Sequence, residues 1–294
     1  MKKETQGMLS GFAGITIFAL TLPATRHAIV YFDPVFVGFG RSVIAALVAG
    51  VVLLMFKVPV PTSSQFAQLM IVVLGVVIGF PLFSALAMNT LTAVHGGVVA
   101  GVLPIMTAIA GALLTRERAS PGFWLTGLVG CFVVIRFAYP EGFQHVLVGD
   151  VYLVLAIISA AFGYALGGRL ATELGGWQVI CWALVLAFPL VLIPSGVYFP
   201  SDVQSIPITA WLCFIYLALG SQLLGFVFWY KGLALGGIVR VSQIQLLQPF
   251  ITLAAAALLL GEQLGGRTLF FALLVVVVVM VGKRMQVSNI SSKG

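Results

Sequence analysis

Charged side chains are scarce in this sequence. Of its 294 residues, 15 are Lys or Arg and 8 are Asp or Glu, so only 8% are charged whereas 61% are hydrophobic. Soluble globular domains carry about 25% charged residues, and disordered chains combine low hydrophobicity with high net charge. The scarcity therefore excludes both classes, and the composition is typical of a membrane protein.

Groups of side chains that carry enzyme or metal chemistry are also missing. The three cysteines, Cys131, Cys181 and Cys213, lie in apolar runs without metal-ligand spacing. The sequence has no G-x-x-x-x-G-K-S/T phosphate loop and no H-E-x-x-H zinc motif. The three histidines lie in different breaks between apolar runs. We therefore expect no cofactor and no metal, and the absences disfavour an enzyme.

What the sequence does contain is a series of ten apolar runs, separated by short breaks with Pro, Gly or charged residues. A helix needs roughly 20 residues to cross a bilayer, and the backbone in lipid must satisfy its own hydrogen bonds. Each run is therefore predicted to be a transmembrane helix. The predicted spans are 8–29, 35–56, 66–88, 93–114, 120–138, 149–170, 176–195, 207–230, 236–260 and 266–284.

The basic residues indicate how these helices are oriented. With a cytoplasmic N-terminus, ten of the 15 Lys and Arg residues fall in the inner breaks and tails, in agreement with the positive-inside rule. An even number of spans then places both termini in the cytoplasm, and we expect a bacterial inner membrane. The net charge of +7 is dispersed along the chain, so nucleic-acid binding is not expected.

The two halves of the chain resemble each other. Residues 103–118 (LPIMTAIAGALLTRER) align without gaps with residues 248–263 (QPFITLAAAALLLGEQ). The aligned pairs are Pro104 with Pro249, Glu117 with Glu262 and, with one residue of slippage, Gly79 with Gly225. Five spans per half give the halves opposite orientations, as in the inverted-topology repeats of secondary transporters; chance similarity of Leu/Ala-rich helices is the alternative. We predict halves at 1–145 and 146–286 and a flexible tail at 287–294.

Three stretches resemble the EamA branch of the drug/metabolite transporter superfamily. Residues 32–50 (FDPVFVGFGRSVIAALVAG) look like the second span of that family, with Pro34 before the helix and Arg41 within it. The two aligned stretches are similar to its repeated Pro-helix-Gly-Glu signature, although Arg116 replaces the usual Gly in the first copy. The resemblance covers nearly the whole chain. It implies ten helices around a central cavity between the halves and the export of small metabolites, and some members export aromatic and other neutral amino acids.

The first span carries a stripe of small, polar and aromatic residues on one face, at about 100° per residue. The stripe consists of Gly7, Ser10, Gly14, Phe18, Thr21 and Thr25. Polar residues inside membranes are costly and often functional. We predict that Phe18, Thr21 and Thr25 contact the substrate and that Pro23, which interrupts the helix, gates the outer mouth. A helix-packing seam is the alternative.

A polar stripe also marks the ninth span. Gln245, Gln248 and Thr252 lie on one face beside Pro249, which removes a backbone donor and frees a carbonyl one turn earlier. Amide side chains offer donors and acceptors to a substrate, and hydrogen bonds between helices are the alternative. Pro104, the matched residue of the fourth span, has few polar neighbours, so we expect one polar and one apolar wall of the cavity. Pro104 and Pro249 are predicted hinges.

Aromatic residues next to glycines favour a pocket for a flat or apolar side chain. The further predicted substrate contacts are Phe83 in the third span, Tyr164 in the sixth, and Gln222 and Trp229 in the eighth. Gly79 and Gly225 are predicted hinges of the third and eighth spans. For Trp229 the alternative is an aromatic belt at the membrane surface.

Charged residues supply few candidates. Arg41 either snorkels to the surface, pairs with Asp33, or binds a substrate carboxylate; the family pattern favours a structural role. Glu117 and Glu262 end their spans and are expected to act at helix ends. Asp150 is predicted to lie in the first turn of a helix, where the helix dipole favours a negative charge. No Asp or Glu lies in the middle of a span, whereas cation/proton exchangers generally need a buried carboxylate, so a neutral or zwitterionic substrate is favoured.

These observations predict a secondary transporter that exports small metabolites, foremost aromatic or neutral amino acids, by alternating access. Its partners are expected to be the small-molecule substrate and the lipid bilayer, and two halves in one chain favour a functional monomer. Carriers for nucleotide sugars, quaternary amines or other drugs are the alternatives within transport. An integral-membrane enzyme and a structural or receptor-type membrane protein are the alternatives outside it.

Overall fold

The computed structural model describes residues 2–115, 118–119, 121–139, 147–236, 241–284 and 287–288. Within these residues the chain is helical apart from two antiparallel two-residue strands, β1 (Arg118–Ala119) and β2 (Val287–Ser288). The strand pair joins the chain after the fourth predicted span to the chain after the tenth. Two residues discussed above, Arg116 and Glu117, lie outside the described residues, as does the tail beyond Ser288.

The helices of the first half follow the predicted spans closely. They are α1 (Lys2–Ala19), α2 (Thr21–Ala28), α3 (Pro34–Met55), α4 (Ser63–Val72), the π-helical segment π1 (Val73–Gly79), α5 (Phe80–Met88), α6 (Ala93–Ala100), α7 (Leu103–Thr115) and α8 (Pro121–Ala138). The first, third and fourth predicted spans are thus each built from more than one helical piece.

The second half follows the same plan. Its helices are α9 (Val148–Leu174), α10 (Gly176–Val197), α11 (Ile208–Ile215), the π-helical segment π2 (Tyr216–Gly225), α12 (Phe226–Gly236), a 3-10 segment (Ser242–Leu247), α13 (Gln248–Leu260) and α14 (Gly266–Arg284). The eighth span continues to Gly236, six residues beyond its predicted end.

Six helical stretches among the described residues are long and apolar enough to cross a membrane. Helices α6 and α7, which are bent by 43° at a short break, form a seventh span when the pair is taken as one. Three shorter apolar helices lie where the fifth, ninth and tenth spans are predicted. The all-helical membrane class is confirmed, and a total of ten spans stays a prediction.

Proline residues lie next to three of the breaks within spans. Pro104 and Pro249 lie in the first turns of α7 and α13, where a missing N–H leaves no helical hydrogen bond unmade. Pro23 lies in the first turn of α2, and the helix breaks at Leu20. A proline ring clashes with the carbonyl four residues before it, so the interruption lies just ahead of Pro23 rather than at it.

Two π-helical segments occupy corresponding places in the two halves. Segment π1 ends at Gly79 and segment π2 ends at Gly225, the two glycines that the internal alignment pairs. π-helical turns are rare, and they frequently lie at functional sites. The predicted hinges of the third and eighth spans therefore each lie at the end of an irregular segment, although motion about them stays a prediction.

The packing of the helices repeats when the two halves are exchanged. Helix α1 packs along α12, and its counterpart α9 packs along π1 and α5. Helix α7 packs on α9, just as α13 packs on α1. Two other pairs match a helix with its own counterpart, α3 with α10 and α8 with α14, and α6 packs on α13, the counterpart of α7.

Aromatic pairs at both ends of the α3–α10 contact fix its direction. The rings of Phe36 and Phe199 lie 5.5 Å apart at the start of α3, and those of Phe56 and Trp177 lie 5.6 Å apart at its end. Helices α3 and α10 are therefore antiparallel. Exchanging the halves maps one aromatic pair approximately onto the other, as expected for related halves.

Candidate functional site

A hydrogen bond joins the two π-helical segments where the halves meet. The Gln222 amide nitrogen in π2 donates to the Val76 carbonyl in π1 over 2.9 Å. Each of these residues lies three positions before its matched glycine, Gly225 or Gly79. Gln222 is fully buried, so this contact between matched positions lies in the interior of the bundle.

Arg41 binds to the other end of the Gln222 amide. Its Nε and Nη2 donate to the amide oxygen over 3.0 and 2.6 Å. The side chain is 1% exposed, so the predicted alternative of snorkelling to the surface is wrong. Pairing with Asp33 is also wrong, because Asp33 instead caps α3 by accepting from the Val35 N–H over 2.7 Å.

The positive charge of Arg41 is not neutralised by the described part of the chain. No carboxylate there forms an ion pair with it, and Nη1 is buried without a hydrogen-bond partner. An unpaired buried charge costs several kcal/mol. Gln222 orients the guanidinium through a neutral oxygen, and it leaves both the charge and one donor group unmatched.

An aromatic cluster of Phe18, Tyr164, Phe226 and Trp229 lies between α1, α9 and α12. Its ring centroids are 4.8 to 6.4 Å apart. Trp229 is 0% exposed and its indole N–H has no partner in the described structure, so the aromatic-belt alternative is wrong for it. The cluster joins three predicted contact residues, and it adds Phe226, which directly follows Gly225 in the chain.

Gly225 permits this cluster to form. A Cβ at this position would lie 2.6 Å from a ring carbon of Phe18, closer than real side chains approach. The absence of a side chain therefore lets the Phe18 ring lie against the helix of π2. This packing role accompanies the predicted hinge role of Gly225, which stays a prediction.

The polar stripe of the first span divides into two parts. Gly7 and Gly14 lie directly against the backbone of α12, which agrees with the helix-packing alternative. Further along, the Thr21 hydroxyl hydrogen-bonds the Ser221 hydroxyl over 2.8 Å. Thr25 is fully buried, and its hydroxyl has no partner in the described structure. The Thr25 hydroxyl thus stays a candidate for substrate contact, whereas the Thr21 hydroxyl already has a protein partner.

The polar stripe of the ninth span divides in the same way. The Thr252 hydroxyl donates to the Ala19 carbonyl over 2.8 Å, at the break that Pro23 causes, so Thr252 satisfies a backbone group. Gln245 is 2% exposed, and neither of its amide atoms has a partner in the described structure. The Gln248 amide oxygen is likewise buried without a partner. Buried polar groups are normally paired, so these two amides are the strongest candidates for substrate contact among the predicted residues.

Phe83, a predicted substrate contact, lies away from the aromatic cluster. Its ring stacks on Tyr152, with centroids 6.4 Å apart. Tyr152 and Tyr164 both lie on α9, but they are separated by roughly 18 Å along the helix axis. Phe83 therefore packs near one end of the bundle and does not contact the central cluster.

A second polar cluster ties α6 to the second half of the chain. The Glu262 carboxylate accepts from the Ala93 and Val94 N–H groups over 2.9 and 2.7 Å, so it caps the N-terminus of α6. The preceding Gly261 ends α13 with a left-handed backbone at φ 67°, the conformation that glycine favours at helix ends. The expected helix-end role of Glu262 is present, but the helix that it stabilises belongs to the other half.

Asp150 strengthens the same cluster. It lies in the first turn of α9, as predicted, and accepts from the Leu147 N–H over 3.2 Å. Its other oxygen pairs with His95 of α6 over 2.8 Å. The Tyr139 hydroxyl also hydrogen-bonds Asp150, and burial together with this bond raises the pKa of Tyr139 above its ordinary value. No local signal in the sequence predicts the His95–Asp150 pair, because its two members lie on different helices.

Cavities open at this end of the bundle, which we call the Glu262 end. One of about 480 Å³ is polar and is lined by His95, Glu262 and Arg267 among others. Another of about 390 Å³ is apolar and is lined by Pro23, His27 and Tyr216 among others. The described residues contain no group of three or more His, Cys, Asp or Glu side chains that could hold a metal ion.

Comparison with known proteins gives this architecture a family. A model of the EamA-like transporter family matches the chain twice, over residues 5–138 and 147–281. The chain belongs to the EamA-like transporter family. It is therefore a multi-pass membrane transporter of the drug/metabolite type, as the resemblance of its motifs implies.

Several individual proteins are similar to this EamA-like transporter. It is 44% identical over 265 residues to the Bacillus subtilis protein named "Uncharacterized transporter YdeK", covering 90% of this chain and 92% of that protein. A match at 30% identity, covering 48% of this chain and 50% of the relative, is to a Salmonella typhimurium protein named "Probable amino-acid metabolite efflux pump". A solved crystal structure with 18% identity has a TM-score of 0.66 and covers 94% of this chain and 97% of that one, so the fold is shared.

Proposed function

We propose that this EamA-like transporter exports small neutral or zwitterionic metabolites, foremost aromatic and other neutral amino acids. The observation that carries the proposal is a buried aromatic cluster accompanied by polar groups without protein partners. Within the described part of the chain, these groups are the indole N–H of Trp229, the hydroxyl of Thr25, both amide atoms of Gln245, the amide oxygen of Gln248, and Nη1 of Arg41. Rings suit an apolar or aromatic body, and unpaired donors and acceptors suit polar ends of a substrate.

Alternating access is the proposed mechanism, carried by ten spans in two inverted halves. The matched π-helical segments and the packing that repeats on exchange of the halves support this arrangement. In such carriers the two halves rock around a shared central site. Gly79, Gly225, Pro104 and Pro249 are the proposed hinges, since they lie at the irregular points of their spans.

The Glu262 end is the proposed outer gate. Glu262 and Asp150 both belong to the second half, and both hold α6 of the first half. Opening of this end requires these contacts to break. The excess of Lys and Arg at the opposite end supports a cytoplasmic location for that side, with both termini in the cytoplasm of a bacterial cell and the protein acting as a monomer.

The alternative substrates are less well matched. Nucleotide sugars carry phosphates that call for several buried cations, whereas Arg41 is the one buried Lys or Arg in the described part of the chain. Quaternary amines suit an aromatic cluster, but the unpaired charge of Arg41 repels them. The name of the Salmonella relative supports amino-acid metabolites, although that similarity covers half of each chain.

Counterflow into proteoliposomes tests the proposal. The purified transporter is reconstituted with a panel of labelled amino acids, with and without a pH gradient, and we expect saturable flux of aromatic amino acids without ATP. Gln245→Ala and Gln248→Ala should each reduce that flux, and Gln204→Ala, an exposed loop residue, should leave it unchanged. Absence of flux for every amino acid would refute the substrate class, and unchanged kinetics in both glutamine variants would refute the site.

A further inference from the structure

We propose that the Arg41–Gln222 pair is the carboxylate-binding end of the central site. This inference rests on the proposed function and makes it more specific. Substrates must carry a carboxylate on an apolar or aromatic body, and the amino group is not what the transporter recognises. Arylalkanoates without an amino group should therefore bind, and amines without a carboxylate should not.

The first argument is the uncompensated charge of Arg41. The side chain is 1% exposed, and no carboxylate in the described structure pairs with it. Its polar partner is the neutral amide oxygen of Gln222. A buried cation without a counterion favours binding of an anion, because the anion supplies the missing charge.

The second argument is the arrangement of donors. Nε and Nη2 of Arg41 both donate to one oxygen of Gln222, while Nη1 has no partner in the described structure. Gln222 is itself held by its hydrogen bond to the Val76 carbonyl. The guanidinium is thus oriented in advance, with an N–H group left for a ligand oxygen, and a planar guanidinium matches carboxylate geometry.

The third argument is the neighbourhood of the pair. Gln222, which binds Arg41, lies three positions before Gly225, and the Phe18 ring of the aromatic cluster packs against Gly225, so the pair lies close to that cluster. A carboxylate bound to Arg41 would leave the body of the ligand among the aromatic side chains. This combination selects molecules with an anionic end and a flat or apolar body.

The fourth argument is the absence of a matching site for an ammonium group. Asp150 is the one buried acidic residue of the described structure, and it lies at the Glu262 end in a pair with His95. No carboxylate of that part of the chain is therefore available in the centre. An amino group can be bound by neutral acceptors, but it gains no charge pair there.

Ligand analogues test the inference without any mutation. The probes are 3-phenylpropionate, 3-phenylpropionamide and 2-phenylethylamine, which share a phenyl ring and differ in the polar end. Each is added at equal concentration to the purified transporter in detergent, and the unfolding temperature is measured. We expect a rise in Tm with the carboxylate and none with the amide or the amine. An equal rise with the amide or amine, or no rise with the carboxylate, would overturn the inference.

Variants of the pair then assign the effect to Arg41. Arg41→Gln should abolish the carboxylate-induced rise, and Arg41→Lys should keep a smaller one because a point charge replaces the planar fork. Gln222→Glu should also abolish the rise, because a resident carboxylate neutralises Arg41. Arg169→Gln removes an exposed arginine and serves as the matched control. If Arg41→Gln does not fold, the Gln222→Glu variant serves as the test instead. A rise in Tm with 3-phenylpropionate in the Gln222→Glu variant would contradict the proposal.

Transport separates this inference from the proposed function. In counterflow, we expect phenylalanine and 3-phenylpropionate to exchange about tenfold or more faster than 2-phenylethylamine, as the loss of a charge-assisted contact implies. Exchange of 3-phenylpropionate without any amino-acid flux would refute the amino-acid proposal and support the carboxylate site. Equal exchange of the amine and the amino acid would refute the carboxylate site and leave amino-acid transport standing.

Discussion

Glu262 allows a quantitative test of the contact that closes the Glu262 end. Its carboxylate accepts from the Ala93 and Val94 N–H groups over 2.9 and 2.7 Å. Loss of a helix cap costs about 1 kcal/mol, and a hydrogen bond to a charged group contributes about 1.5–3 kcal/mol when buried. Glu262 is half-buried, so we expect Glu262→Ala to weaken the closed state by about 2 kcal/mol.

The assay is the rate at which a cysteine near this contact reacts with a maleimide. Val94 is 7% exposed and lines the polar cavity, so Val94→Cys, in a background without the native cysteines, reports opening of this end. A loss of about 2 kcal/mol corresponds to a labelling rate about 30-fold higher. Glu173→Ala, which removes an exposed acidic residue, is the control. A rate for Glu262→Ala within twofold of the parent would refute the reasoning.

Three further changes test other contacts. Gly225→Ala would overpack the Phe18 ring, so we expect a loss of stability of about 1–3 kcal/mol and slower counterflow. Gly196→Ala adds a Cβ that meets nothing and should change neither stability nor counterflow. Equal thermal unfolding of the two variants would contradict the overpacking. Thr252→Val removes the hydroxyl that donates to the Ala19 carbonyl, so the free energy of unfolding should fall by about 1 kcal/mol. A Tm equal to that of the parent would argue against this hydrogen bond. Gln245→Leu removes a buried amide without a partner, so we expect an unchanged or higher Tm together with loss of flux; a clearly lower Tm would mean that the amide is satisfied inside the protein.

The positions of the helices were predictable because their signals are local. Asp33 and Pro34 begin α3 with a side-chain cap and a proline in the first turn. Gly261 ends α13, and the prolines at 104 and 249 lie in first turns. Each of these signals involves residues within a few positions of one another, and lipid leaves an apolar run no regular alternative to a helix.

The members of the candidate site were predictable in part. Polar residues in apolar runs marked Gln222, Gln245 and Thr252, because such residues are costly in a membrane. The same argument did not separate Thr252, which serves the backbone of α1, from Gln245, whose amide has no partner among the described residues. Phe83 was predicted as an aromatic residue near the glycines of its span, and its helix places it against Tyr152 instead.

Composition by itself determined that this chain is a bundle of membrane helices, since burial in lipid constrains every residue in the same way, and internal sequence similarity determined that the bundle has two similar halves. The tertiary structure decided which side chains meet. Arg41 and Gln222 are 181 residues apart in the chain, and Glu262 lies 169 residues from the N–H of Ala93 that it caps. Such contacts depend on how the helices of the two halves pack, and a pattern confined to one helix carries no information about its partner.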